Sequence, residues 1–156
     1  MESKETSKGK CRKARLSAIT HVLVVALLAT SFVSGVLIWW GQTAGALENE
    51  FTMMVQAPSW VQPLIVFHGC LFPLQCGLFG YLVRAHFKPG WELGANRVSG
   101  LAMDFVFVMM ILSGVGLYYV GEGRETVVWV HRISGASVPV FLGLHWYFGH
   151  QWAKKL

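Results

Sequence analysis

The sequence contains little charge. Only 13% of its 156 residues are Asp, Glu, Lys or Arg, whereas 54% are apolar. Soluble domains usually carry about 25% charged and about 45–50% apolar residues, so this chain has too few charges to cover a water-soluble globule. The mean hydropathy of +0.48 points the same way. The composition therefore predicts an integral membrane protein, and the length suits a single domain.

Cysteine motifs are missing as well. The three cysteines, Cys11, Cys70 and Cys76, form no C-x-x-C pair. That spacing is what zinc ribbons and thioredoxin-like redox sites need, so the sequence argues against both. C-x-x-C-H is also absent, which argues against covalently attached c-type haem.

Acidic residues are too few to balance the basic ones, and the net charge is +5. This excess does not indicate nucleic-acid binding, because the basic residues cluster at the ends of apolar segments, as membrane topology requires. Two such clusters lie at the chain ends: Lys4, Lys8, Lys10, Arg12, Lys13 and Arg15 at the start, and Lys154 and Lys155 at the finish.

Four apolar segments have the length that a membrane-spanning helix needs, which is roughly 20 residues. They cover residues 18–40, 61–83, 98–120 and 127–149, and loops 41–60, 86–96 and 121–126 separate them. The first is longer than the apolar core of a signal peptide, so it is predicted to be a span. The predicted fold is an all-α, four-helix transmembrane bundle over residues 16–153, preceded by a basic, disordered cytoplasmic arm at 1–15.

The loop charges predict the orientation of this bundle. The amino-terminal arm, the second loop and the carboxy-terminal tail carry most of the Lys and Arg, whereas the first and third loops carry more Glu. Basic residues concentrate on the cytoplasmic side of membrane proteins, so both termini are predicted to be cytoplasmic.

Four of the six histidines lie within the predicted spans. Ionisable groups inside a membrane are costly and mark functional sites by default. In the fourth span, His131 and His145 are 14 residues apart, so on a helix they share a face and lie roughly 21 Å apart along the axis. That separation suits two haems, one in each leaflet.

Each haem iron needs a second axial imidazole at the same depth. His68 is predicted to face His131 for the outer haem, and His21 to face His145 for the inner one. His86 is the reserve inner ligand, because its 18-residue separation from His68 equals five helical turns and keeps it on the same face. A single haem, or histidines that only make polar contacts between helices, are the alternatives.

Three other charged residues are candidates near these haems. Arg84 could pair with inner haem propionates and Arg132 with outer ones, although both could instead reach the lipid headgroups. Asp104 is the acidic residue within a span, and two roles are open for it: a proton relay to quinone, or a structural partner of Arg97 or His86.

The fourth apolar segment, VHRISGASVPVFLGLHWYFGHQW, resembles the last helix of the bacterial cytochrome b561 family, which includes the cytochrome b subunits of nickel–iron hydrogenases. FHGCLFPLQCGLFGYLVRAHFKP and SAITHVL resemble its second and first helices, and the resemblance covers most of residues 16–152. It implies two b-type haems held by His68 with His131 and His21 with His145, in a bacterial inner membrane. The extra His86 departs from the family pattern.

The resemblance implies transmembrane electron transfer between an extracytoplasmic redox partner, such as a dehydrogenase or c-type cytochrome, and the quinone pool. Quinone is thus a second expected ligand, and membrane lipid and a redox protein are the expected partners. An alternative is a haem-containing anchor subunit of a larger respiratory or photosynthetic complex, without activity of its own. A haem-free transporter or channel subunit, with histidines as proton relays, is a third hypothesis.

Overall fold

The computed structural model describes residues 16–49, 57–94 and 96–154, and this part of the chain is helical with no strand. The basic arm predicted at 1–15 lies outside the described residues. The elements in chain order are α1 Ala18–Asn49, α2 Val61–Cys70, α3 Phe72–Leu82, a π-helical turn Val83–Phe87, α4 Lys88–Glu92, α5 Arg97–Tyr119 and α6 Arg124–Ala153.

Within the described residues, four helical stretches are long and apolar enough to cross a membrane, as the sequence predicts. They are Ala18–Ala44, Val61–Glu92, Arg97–Tyr119 and Arg124–Ala153, here called the first to fourth spans. Large apolar side chains face outward from them; Val98 is 86% exposed and Ile19 is 75% exposed. Contiguous apolar surface of this kind suits contact with lipid rather than water. The four stretches therefore indicate a multi-pass membrane protein.

The second span is longer and less regular than predicted. The predicted loop at 86–96 was wrong in its first part, because the chain stays helical to Glu92. Pro73 has no amide hydrogen and interrupts the helix at Leu71, whose own amide bonds to the His68 carbonyl at 3.2 Å. Pro89 lies in the first turn of α4, where a missing amide costs little. His86 consequently lies within a helix and not in a loop.

The first helix also continues past its predicted end at residue 40 and reaches Asn49. Gly41 explains the close packing at this point, because a Cβ added there would lie 2.6 Å from Cγ2 of Val61. Glycine thus lets the start of α2 pack directly against α1. Four residues at helical spacing form the buried face of α1: Val24, Leu28, Ser31 and Ser34.

The third and fourth spans pack against each other as an antiparallel pair. Val120–Gly123 connect them, and Gly123 takes a positive φ of 74° at the amino-terminal cap of α6. Met103, Val106 and Val138 form the buried apolar core between these helices. Partly buried side chains complete that core: Phe107, Met110, Phe141 and Leu142.

Candidate cofactor site

The second and fourth spans bring two histidines together near one end of the bundle. The ring centroids of His68 and His131 are 6.2 Å apart, and their planes are perpendicular at 90°. His68 lies on α2 and His131 on α6. This is the pair that the sequence predicts for the outer haem.

A second pair with nearly the same geometry lies further along both spans. The ring centroids of His86 and His145 are 5.9 Å apart, with an interplanar angle of 84°. The structure does not bring His21 to His145: His21 is exposed, and among the described residues no ring contact or hydrogen bond joins the two. The reserve ligand of the sequence analysis therefore takes the place that His21 was expected to fill.

The two pairs are well separated along the bundle. On α6, His131 and His145 are 14 residues apart, which corresponds to roughly 21 Å of helix. The second span uses 18 residues, from His68 to His86, to connect the same two levels. It departs from regular α-helix twice on the way, at Leu71 and in the π-helical turn Val83–Phe87. A π-helical turn holds more residues than an α-helical turn, so it takes up part of the difference.

Serine side chains hold three of the four imidazoles through the same ring atom. Nδ1 of His68 lies 2.8 Å from Oγ of Ser34. Nδ1 of His131 lies 3.0 Å from Oγ of Ser113. Likewise, Nδ1 of His145 lies 3.1 Å from Oγ of Ser99.

Each of these serines also has a second acceptor within hydrogen-bonding distance. Ser34 donates to the Ser31 carbonyl at 3.1 Å, and Ser113 donates to the Met109 carbonyl at 2.6 Å. Ser99 donates to Oδ1 of Asn96 at 2.5 Å. A hydroxyl has a single proton, so a serine that donates to this second acceptor accepts from the histidine, whose Nδ1 then carries the hydrogen.

With that tautomer, Nε2 of the three histidines is an unprotonated acceptor. Within the described part of the chain, no hydrogen bond engages Nε2 of His68, His131 or His145. Nδ1 and Nε2 are both bonded to Cε1 and point in different directions, so a serine at Nδ1 leaves Nε2 available to a second partner. A histidine that donates Nδ1–H to a fixed acceptor and presents Nε2 is the arrangement that metal ligands use.

The ring separation fits two imidazoles on opposite sides of one metal ion. A metal–imidazole bond is about 2.0–2.1 Å long, and roughly 1.1 Å separates the nitrogen from the ring centre, which gives roughly 6.2–6.4 Å between centroids. The observed separations are 6.2 and 5.9 Å. In the described ranges no group of three or more His, Cys, Asp or Glu side chains could hold a metal ion. Each of the two pairs offers two imidazoles. Two imidazoles are the ligands that a bis-histidine haem iron would need.

Each of the three serines precedes a glycine at which an added Cβ would contact the same imidazole. A Cβ added to Gly35 would lie 3.4 Å from Cε1 of His68. The corresponding distance is 3.6 Å from Gly114 to His131 and 3.8 Å from Gly100 to His145. The Ser–Gly dipeptide therefore places a hydroxyl beside Nδ1 and a glycine beside Cε1 of the same ring.

The two candidate arginines have different surroundings. Arg132 donates to Oε1 of Gln42 at 2.7 Å, and its guanidinium lies over the rings of Trp39 and Trp129 at 5.4 and 5.5 Å. It is thus held in place beside His131. Arg84 is exposed on the π-helical turn. Whether either arginine contacts a propionate stays a prediction.

Asp104 and Arg97, which the sequence offers as partners, are not paired. Arg97 donates to the Trp91 carbonyl at 2.8 and 3.1 Å and lies over the Trp91 ring at 5.1 Å. Whether Asp104 pairs with His86 stays a prediction.

Sequence reasoning missed the serines and Asn96. Their signal is nevertheless present, because Ser99 and Ser113 are 14 residues apart, the same separation as His131 and His145. Two antiparallel helices with equal spacings can match at both points. Asn96 adopts the left-handed conformation at φ 47° and donates to the His145 carbonyl at 3.0 Å, a detail of tertiary structure with no sequence motif.

No protein-family model, curated protein or solved structure matches this chain.

Proposed function

We propose that the chain is a transmembrane electron carrier with two b-type haems, one held by His68 and His131 and the other by His86 and His145. The observation that carries this proposal is the repetition of one ligand geometry at two depths. Both pairs place perpendicular imidazoles at 6.2 and 5.9 Å, close to the separation that an intervening iron requires. The inner pair thus uses His86 where the sequence alone favoured His21.

The protein's own residues hold and insulate the two sites. Ser34 and Ser113 orient the ligands of the first pair, and Ser99 orients His145. When bound, b-type haem supplies one-electron redox chemistry whose potential depends on its axial ligands and their surroundings. Between the two levels, Val106 and Val138 form part of a buried apolar core that excludes water.

The orientation and the location belong to this proposal too. Four spans put both chain ends on one side of the membrane, and the basic residues make that side cytoplasmic. The resemblance to the cytochrome b561 family supports a bacterial inner membrane, an extracytoplasmic electron donor and quinone as the acceptor.

The test is the cofactor content of the purified full-length chain. A reduced-minus-oxidised difference spectrum should show b-type bands, and the haem-to-protein ratio should be two. Two separate midpoint potentials are expected, because the two ligand pairs have different surroundings. A chain that folds in the membrane of a haem-sufficient host and carries no haem would refute the proposal.

A second candidate function is a haem-containing anchor subunit of a larger complex. The observation in its favour is the short connection at residues 120–123, whose four residues are too few to form a donor-binding domain. Purification in mild detergent separates the two functions. Stoichiometric partner subunits would favour the anchor, whereas a lone chain that reduces a quinone analogue would favour the independent carrier.

A further inference from the structure

Three serines contact the proposed ligand histidines in one repeated arrangement. In each case the serine Oγ meets Nδ1 of the histidine, and the next residue is a glycine at which an added Cβ would lie within 4 Å of Cε1 of the same ring. The three dipeptides lie on two different helices, Ser34–Gly35 on α1 and Ser99–Gly100 and Ser113–Gly114 on α5. Three separate helix contacts with the same atoms are unlike incidental packing.

We infer that Ser34, Ser99 and Ser113 are positioning residues that set the reduction potentials of the two haem sites, an inference that rests on the proposed function. A serine that accepts from Nδ1–H fixes the tautomer and turns Nε2 toward the metal. It also makes the imidazole a stronger electron donor, as hydrogen bonds to metal-bound histidines generally do. A stronger donor stabilises the ferric state and lowers the potential.

The serines allow each of the two sites to be altered separately. In the first pair, both ligands have a serine: Ser34 for His68 and Ser113 for His131. In the second pair, Ser99 contacts Nδ1 of His145. The first site can therefore be altered from two helices independently, and the second from α5.

The experiment replaces each serine by alanine in the full-length chain and measures both midpoint potentials by redox titration. Ser113→Ala should raise the potential of the His68–His131 site and leave the other unchanged. Ser99→Ala should raise only the potential of the His86–His145 site. The double variant Ser34→Ala with Ser113→Ala should shift the first site by more than either single change.

The chain supplies its own matched control. Ser134–Gly135 is a fourth Ser–Gly dipeptide inside a span, but a Cβ on Gly135 would meet the sulfur of Met110 and not a histidine. Ser134→Ala should therefore shift neither potential. Ser113→Thr keeps the hydroxyl, which in a helix can still bond the carbonyl four residues earlier, and should restore the potential that Ser113→Ala changes.

The outcomes separate the inference from the proposed function. A wild-type chain without haem overturns both. Two haems with unchanged potentials in Ser113→Ala and Ser99→Ala overturn the inference and leave the electron carrier in place. Equal shifts in all variants, Ser134→Ala included, show a general loosening of the bundle and also overturn it. Site-selective shifts with threonine rescue support it.

Discussion

The His68–His131 and His86–His145 pairs reach the same ring geometry from different backbones. The first joins a regular stretch of α2 to α6 and fixes both imidazoles through serines. The second depends on the π-helical turn Val83–Phe87, which carries His86 to the level of His145. One site is thus built from standard helix packing, whereas the other requires a local departure from it, as functional sites with π-helical turns often do.

The largest expected effect comes from removing His131 or His145, because each histidine pair has one of its two members on the fourth span. His131→Ala and His145→Ala should each lower the haem-to-protein ratio from two to one, because the ligand pairs are separate. His150→Ala is the control: this exposed histidine lies near the end of the same helix and should leave the ratio at two. Loss of both haems from either variant would mean that the sites do not form independently.

The next effect decides between the two candidates for the second pair. His86→Ala should cost the haem of the His86–His145 site, whereas His21→Ala should retain both haems, because His21 is exposed and has no contact with His145. Difference spectra with haem quantification measure this directly. The reverse result would restore His21 as the ligand and would contradict the pairing in the structure.

A smaller effect is expected on the stability of the bundle near the first pair. Gly41→Ala would place a Cβ 2.6 Å from Val61 and against the Trp60 ring, so the packing of α1 on α2 must shift. Overpacking of this kind costs typically about 1–3 kcal/mol. The melting temperature in one detergent should fall for Gly41→Ala.

Gly143→Ala is the matched control for this glycine. Nothing lies within 4 Å of a Cβ added at Gly143, so the melting temperature should stay the same or rise slightly. A fall of equal size in both variants would show that helix glycines act here through the backbone and not through close packing.

The smallest expected effect is a loss of stability on removing Arg132, which contacts side chains at the same end of the bundle. Arg132→Ala removes a hydrogen bond to Gln42 and two ring contacts, and should lower stability by about 1 kcal/mol. Arg124→Ala removes the same charge from an exposed position at the start of α6 and should change the melting temperature little. If both variants behave alike, the contacts of Arg132 contribute nothing beyond its charge.

The helices and one of the two pairs could be predicted from the sequence because they depend on local periodicity. Apolar runs of roughly 20 residues predict spans, and the 14-residue interval between His131 and His145 predicts a shared face on any α-helix. The end of the second span was not predicted correctly. Proline and glycine near His86 indicated a loop, but the proline begins a new helical segment and the chain remains helical to Glu92.

By itself the sequence determined that the chain is an apolar, four-span helical protein with histidines at two depths, because composition and helical spacing act residue by residue. Only the tertiary structure decided that His86, and not His21, contacts His145, and that serines on neighbouring helices hold the rings. Those choices depend on how much the π-helical turn rotates one helix and on which helix faces another. Such rotations and contacts arise between segments that are distant in sequence. Sequence periodicity is local and carries no information about them.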